Sequence, residues 1–126
     1  MIRADPQPRS AVVCMYGSRF GPDPRRRGAL ERQVRLPRAA AAALASAAAQ
    51  VSVAAPPAGS VGCPADVGTT TVITFDLAGR PPVSLWWRTS GCQTIDNGRV
   101  QASQLANASF GTFQAVFARI VRTRSR

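Results

Sequence analysis

CPADVGTTTVITFDLAGRPPVSLWWRTSGC, residues 63–92, is the stretch that decides the fold of this chain. It contains two runs rich in β-branched and aromatic residues, 69–77 and 82–90, and both alternate between apolar and polar side chains. Gly and Pro residues between the runs supply the chemistry of a turn. The stretch is therefore predicted to form a β-hairpin in which one face of each strand lies on a core.

The alternation assigns two adjacent tryptophans to opposite faces of the second strand. Trp87 falls on the apolar face with Val83 and Leu85, whereas Trp86 falls on the polar face with Ser84. The interpretation that we favour places Trp86 under a helix or loop. The alternative is that Trp86 belongs to an exposed aromatic patch that binds a partner.

The cysteines constrain the compartment of the protein. Cys63 and Cys92 stand just outside the two ends of the predicted hairpin, which predicts a structural disulfide and an oxidising compartment. Cys14 lies in an apolar run and is expected to be a buried free thiol; the alternatives are that it replaces one bridge partner or pairs between chains. Because the chain has no histidine and no CxxC pair, we expect no metal site and no cofactor.

The rest of the chain predicts further strands and two helices that would complete a two-layer structure. The segments are strands at 11–16 and 29–36, an alanine-rich helix at 38–51, a hairpin around Asn97-Gly98, and an amphipathic helix at 109–122. The predicted fold class is α+β, an antiparallel sheet of four to six strands with two helices packed on one face.

A chain of 126 residues suits one domain. Residues 1–10 are predicted to be a disordered N-terminal segment, residues 11–122 a single α+β domain, and residues 123–126 a basic C-terminal tail. Much of the hydrophobic content is alanine, so the core is small. One disulfide, which contributes about 2–4 kcal/mol, would matter to such a core.

The net charge of +10 comes from 16 arginines without a single lysine. Within residues 60–118 three arginines and three aspartates cancel, so the excess lies near the two ends of the chain. These arginines either contact phosphate or an anionic polymer, or are the solvated residues of an arginine-biased proteome. The candidates for such contacts are Arg25, Arg26, Arg27, Arg122 and Arg124.

Groups suited to acid–base catalysis are scarce, because the chain has no histidine, no lysine and one glutamate. Each candidate carboxylate has a structural explanation. Asp66 before Gly68 predicts an Asx-turn, Asp96 is expected to shape a hairpin, and Asp76 is expected to face solvent near a hairpin arginine. We therefore expect no catalysis and assign no catalytic residue.

Two interpretations of export compete. Residues 25–38 with the alanine-rich run resemble a secretory signal, and residues 60–63 partly resemble a lipoprotein box ending at Cys63. We favour a folded helix, so that the export signal is weak in, or missing from, the sequence beginning at Met1. No apolar run is long enough to span a membrane.

Four short motifs carry a resemblance to a known group. They are VCMY at 13–16, CPADVG at 63–68, SGC at 90–92 and NG at 97–98. Over residues 11–120 the chain resembles small uncharacterised secreted or cell-envelope domains of high-GC Gram-positive bacteria. The resemblance implies an exported, actinobacterial-like parent chain with a signal or lipid anchor, and it implies no activity or substrate.

Together these observations predict a non-catalytic exported domain with a binding or structural role at the cell envelope. The partner would be an envelope protein or an anionic polymer. One alternative is an arginine-rich protein that binds nucleic acid or an anionic polymer, with nucleic acid the less favoured partner. The other is an extracellular, enzyme-inhibitor-like module that binds a protein through Trp86.

Overall fold

The structure, a computed structural model, describes residues 2–3, 6–53 and 62–124. Strands and helices in these ranges follow the predicted order. They are β1 (Ser10–Tyr16), β2 (Leu30–Leu36), α1 (Arg38–Ala49), β3 (Thr70–Asp76), β4 (Val83–Arg88), β5 (Thr94–Asp96), β6 (Gln101–Ser103) and α2 (Ala108–Thr123).

The strands of the described residues form one antiparallel sheet in the order β2-β1-β3-β4-β5-β6. The register places Val13 of β1 opposite Ile73 of β3, and Ile73 opposite Leu85 of β4. The predicted α+β class is therefore confirmed, with six strands and two helices. Strand β1 joins the N-terminal hairpin to the central hairpin by pairing with β3, for example Val13 with Ile73.

Both helices lie on the face of the sheet that carries the alternating apolar residues. Ile73, Phe75 and Leu85 are fully buried there. Helix α1 packs on β1 and β2 and buries Leu44 among alanines, whose short side chains let a helix approach a sheet closely. Helix α2 packs against α1 and against the indole of Trp87.

Aromatic rings from α2 enclose Trp87 on this face. The rings of Phe110, Phe113 and Phe117 lie edge-on to the indole, with centroids 6.5, 5.4 and 4.9 Å away. The indole Nε1–H donates to Oε1 of Gln93 at 2.9 Å, so its polar atom is satisfied although the side chain is only 6% exposed. The predicted inward orientation of Trp87 is confirmed.

The predicted disulfide is also confirmed. Cys63 and Cys92 are bonded, with their Cα atoms 4.9 Å apart, and they join the segment before β3 to the segment after β4. A sulfur in this bond cannot form the thioether of a lipoprotein, and Cys14 does not replace either partner. Residues 60–61 of the lipoprotein-like motif lie outside the described residues.

Residues 2–3 and 6–10 are the described part of the N-terminal segment that was predicted to be disordered, and several of them contact the folded domain. Ile2 packs against the core, Pro8 is fully buried, and the backbone N–H of Arg9 donates to the carbonyl of Asp76 at 2.8 Å. The Arg9 guanidinium also pairs with the Asp76 carboxylate at 3.1 Å. Asp76 therefore faces solvent, as expected, and its ion-pair partner among the described residues is an N-terminal arginine.

Within the described ranges, neither helix has the length and apolar character needed to cross a membrane.

Candidate functional site

The face of the sheet opposite the helices is the candidate site. Side chains on this face alternate out of phase with the core, and the register aligns one of them from each of five strands. This row across the sheet consists of Gln33, Cys14, Val72, Trp86 and Asp96. No helix among the described residues lies on this face.

Trp86 is the largest apolar side chain of this row, and it is 55% exposed. The favoured interpretation, that a helix or loop lies over Trp86, was wrong, because both helices pack on the opposite face with Trp87. Cys14 is a free cysteine, as expected, but it is half-buried beside Val72 on the uncovered face instead of lying in the core. An apolar strip therefore lies open at the middle of a polar face.

A groove runs along one end of this face. Its first part, about 190 Å³ in volume, has Tyr16, Val72 and Trp86 among its lining side chains, with Arg19 from the loop between β1 and β2. Its second part, about 220 Å³, includes Phe20 and Arg88. Both parts share Arg19, Gly68 and Thr70 as lining residues. The two cavities adjoin at these shared residues, and we call them together the Trp86 groove, lined by Tyr16, Arg19, Phe20, Thr70, Val72, Trp86 and Arg88.

One wall of the Trp86 groove is held in place by contacts between two loops. The hydroxyl of Ser18 donates to the carbonyl of Val67 at 2.5 Å, and the N–H of Phe20 donates to the Ser18 hydroxyl at 3.1 Å. Gly68 has a positive φ of 74°, and a Cβ at this position would lie 3.1 Å from Cβ of Arg19. The loop carrying Arg19 and Phe20 thus packs closely on Gly68, where a side chain would crowd Arg19 and strain the backbone.

Asp66 fixes the other wall. Its Oδ1 accepts hydrogen bonds from the N–H of Gly68 and from the hydroxyl of Ser90, both at 2.8 Å. These bonds lower the pKa of Asp66, and the charges of Arg88 and Arg19 lower it further. The predicted Asx-turn is confirmed, and the carboxylate also links the two segments that the disulfide joins.

Arg19 and Arg88 give the Trp86 groove a positive charge. Neither guanidinium donates a hydrogen bond or enters an ion pair within the described residues. Asp66 is the acidic side chain among the described lining residues, and its Oδ1 already accepts two bonds. Hydrogen bonds among the described residues therefore leave the N–H donors of both guanidiniums unused, although both charges act on the Asp66 carboxylate.

The other arginines singled out from the sequence do not converge on one site. Arg25, Arg26 and Arg27 are exposed on the loop whose other residues form the groove wall, and Nε of Arg27 donates to the carbonyl of Gly21 at 2.8 Å. Arg122 and Arg124 lie at the end of α2, on the side of the sheet that the helices cover. Only Trp86 among the predicted binding residues lines the groove.

The other six residues that line the Trp86 groove were not predicted from the sequence: Tyr16, Arg19, Phe20, Thr70, Val72 and Arg88. A signal was present for part of this set, because apolar residues out of phase with the core recur on two strands, at Cys14 and Val72 as well as at Trp86. Nothing local indicated that the loop carrying Arg19 folds back onto Gly68.

Comparisons with protein-family models, with curated proteins and with solved structures gave no significant match to this chain. The function is therefore argued from the geometry of the Trp86 groove.

Proposed function

We propose that this protein is a non-catalytic, exported domain of the cell envelope that binds an anionic glycan in the Trp86 groove. One observation carries the proposal: an indole that is 55% exposed lies on the uncovered face of the sheet, in a groove that Arg19 and Arg88 also line, and neither guanidinium makes a hydrogen bond or an ion pair among the described residues.

The chemistry of the groove matches the two parts of such a ligand. Sugar rings have an apolar C–H face, which stacks on aromatic rings such as those of Trp86 and Tyr16. Guanidinium groups bind carboxylate or phosphate through paired N–H donors, and Arg88 and Arg19 stand in the same groove. An aromatic surface with adjacent arginines therefore suits a charged polysaccharide.

The compartment is inferred from the disulfide. Bonds such as Cys63–Cys92 persist mainly outside the reducing cytosol. This supports an extracytoplasmic location and agrees with the resemblance to secreted envelope domains. It also favours an envelope glycan over nucleic acid, which offers a similar combination of flat rings and negative charge.

The absence of catalysis is inferred from the carboxylates that could act as bases. Asp66 accepts two hydrogen bonds, Asp76 is paired with Arg9, and Asp96 accepts the N–H of Gly98 at 2.6 Å, which confirms its expected hairpin role. Each of these groups stabilises the fold, so we expect the glycan to be bound without turnover.

The test is calorimetric titration of the protein with each of three ligands in separate experiments. The ligands are oligomers of alginate, which is a polyuronate, neutral dextran, and single-stranded oligo(dT). We expect alginate to bind, dextran to bind more than tenfold more weakly, and oligo(dT) to bind no more tightly than dextran. Trp86→Ala should weaken alginate binding at least tenfold, the order of one lost stacking contact. Arg88→Gln should weaken binding severalfold and flatten its dependence on salt.

Matched variants control for nonspecific effects. Val100→Ala removes an exposed apolar side chain elsewhere, and Arg25→Gln removes one charge from an exposed loop; both should bind alginate like the wild type. Tight binding of oligo(dT) that is lost in Trp86→Ala would mean that the ligand of the groove is a nucleic acid and not a glycan. Failure of alginate to bind at millimolar concentration, or equal losses in Trp86→Ala and Val100→Ala, would overturn the proposal.

A further inference from the structure

A second cavity lies at the opposite end of β3 and β4 from the Trp86 groove. It has a volume of about 400 Å³ and is enclosed by the turn between β3 and β4, the turn between β5 and β6, and N-terminal residues. This volume is within the usual range of small-molecule pockets, about 300–1,000 Å³. The cavity is therefore large enough for a ligand of its own.

Three arginines, Arg3, Arg80 and Arg99, line this cavity. No carboxylate is among its described lining residues, and none of the three guanidiniums donates a hydrogen bond or forms an ion pair in the described ranges. Among the described residues, the acidic residues nearest along the chain to Arg80 and Arg99 are Asp76, which pairs with Arg9, and Asp96, which accepts the N–H of Gly98; Asp5, near Arg3 in the sequence, lies outside the described residues. Three arginines and no carboxylate among the described lining residues give this cavity an excess of positive charge, which favours an anion.

Apart from Asn97, the remaining lining is apolar. Leu77 is buried at the end of β3, Val83 begins β4, and Ile2 packs against the core from the N-terminal segment. Prolines from both segments complete this part of the wall. A ligand that matches the cavity thus needs an apolar body as well as a charged group.

We propose that this cavity binds an amphiphilic anion, a short apolar chain or ring that carries one phosphate or carboxylate group. The anionic group contacts Arg80 and Arg99, with Arg3 closing over it, and the apolar body lies against Leu77 and Val83. The arginine side chains offer paired N–H donors to either acid, while the apolar wall gains by removing hydrocarbon from water. This site is separate from the Trp86 groove and does not depend on it.

The test is calorimetric titration of the full chain with four probes: octyl phosphate, octanoate, octyl glucoside and inorganic phosphate. We expect at least one of the two charged octyl compounds to bind at least tenfold more tightly than both octyl glucoside and inorganic phosphate. The tighter of the two charged probes identifies the acid that the arginines prefer. The double variant Arg80→Gln/Arg99→Gln should lower that affinity at least tenfold, after thermal unfolding has shown that it folds.

The control variant is Arg25→Gln/Arg26→Gln, which removes the same charge from an exposed loop and should leave the affinity within about twofold, since only long-range charge is altered. Trp86→Ala should also leave it unchanged, which separates this site from the groove. Equal losses in the two arginine double variants, equal binding of inorganic phosphate and the octyl anions, or no binding at millimolar concentration would overturn the proposal.

Discussion

The adjacent tryptophans offer a direct test of which face of the sheet is covered. Trp87→Ala removes an indole packed among three phenylalanine rings, and truncation of a buried aromatic residue costs about 3–5 kcal/mol. The lost hydrogen bond adds little, because Oε1 of Gln93 still accepts from Nε2 of Gln114 at 2.9 Å. Trp86→Ala removes a side chain that is 55% exposed, and should cost less than about 1 kcal/mol of unfolding free energy.

These losses of unfolding free energy predict different melting temperatures for the two variants. At about 4 °C per kcal/mol for a domain of this size, Trp87→Ala should lower Tm by about 15 °C and Trp86→Ala by only a few degrees. Far-ultraviolet circular dichroism should follow the unfolding, because it does not depend on the fluorophore that each substitution removes. Similar decreases in Tm in both variants would refute the assignment of Trp86 to the uncovered face. A larger decrease in Trp86→Ala would mean that Trp86, and not Trp87, lies under the helices.

Three further predictions concern contacts that hold the sheet and helix in place. The double variant Cys63→Ser/Cys92→Ser should lose about 3.6 kcal/mol of unfolding free energy in urea titrations, because the disulfide closes a loop with a sequence separation of 29 and so restricts the unfolded chain. A loss below about 1 kcal/mol would contradict a structural role for the disulfide. Asp66→Asn should lower the free energy of unfolding near neutral pH, because folding lowers the pKa of Asp66 and so stabilises the ionised carboxylate. The difference in unfolding free energy between the variant and the wild type should shrink as the pH falls below 3.8, the ordinary pKa of an aspartate. A difference that stays constant between about pH 7 and about pH 2.5 would refute this role of the carboxylate. Asn107→Ala should lower the free energy of unfolding by about 1–2 kcal/mol, because Oδ1 of Asn107 accepts the N–H of Phe110 and caps α2. Urea titration measures this loss, and an unchanged urea midpoint would argue against the cap.

The sequence predicts the central hairpin and its disulfide because both depend on local signals. Alternation over two short runs, a Gly/Pro turn between them and a cysteine outside each end describe a structure whose contacts are close along the chain. The same holds for α2, whose phenylalanines recur at helical spacing and all face Trp87.

The candidate site was harder to predict, because it depends on contacts between distant segments. Cys14 and Val72 become neighbours of Trp86 only when β1 pairs with β3, and no local pattern indicates that pairing. The apolar surface of Trp86 suggested burial, yet the two helices of the described chain pack on the other face. The position of Arg19 also depends on a contact between loops, through Gly68, which propensities along the chain do not encode.

The most direct test of glycan binding in the Trp86 groove is the pair of indole N–H resonances in a nitrogen-15 labelled sample titrated with alginate oligomers. Trp86 lines the groove, whereas Trp87 is buried under α2 with its N–H bonded to Gln93, so each reports on one face of the sheet. We predict that the Trp86 resonance shifts in proportion to saturation while the Trp87 resonance stays in place. A titration that moves neither indole, or moves only backbone resonances of α2, would contradict the account.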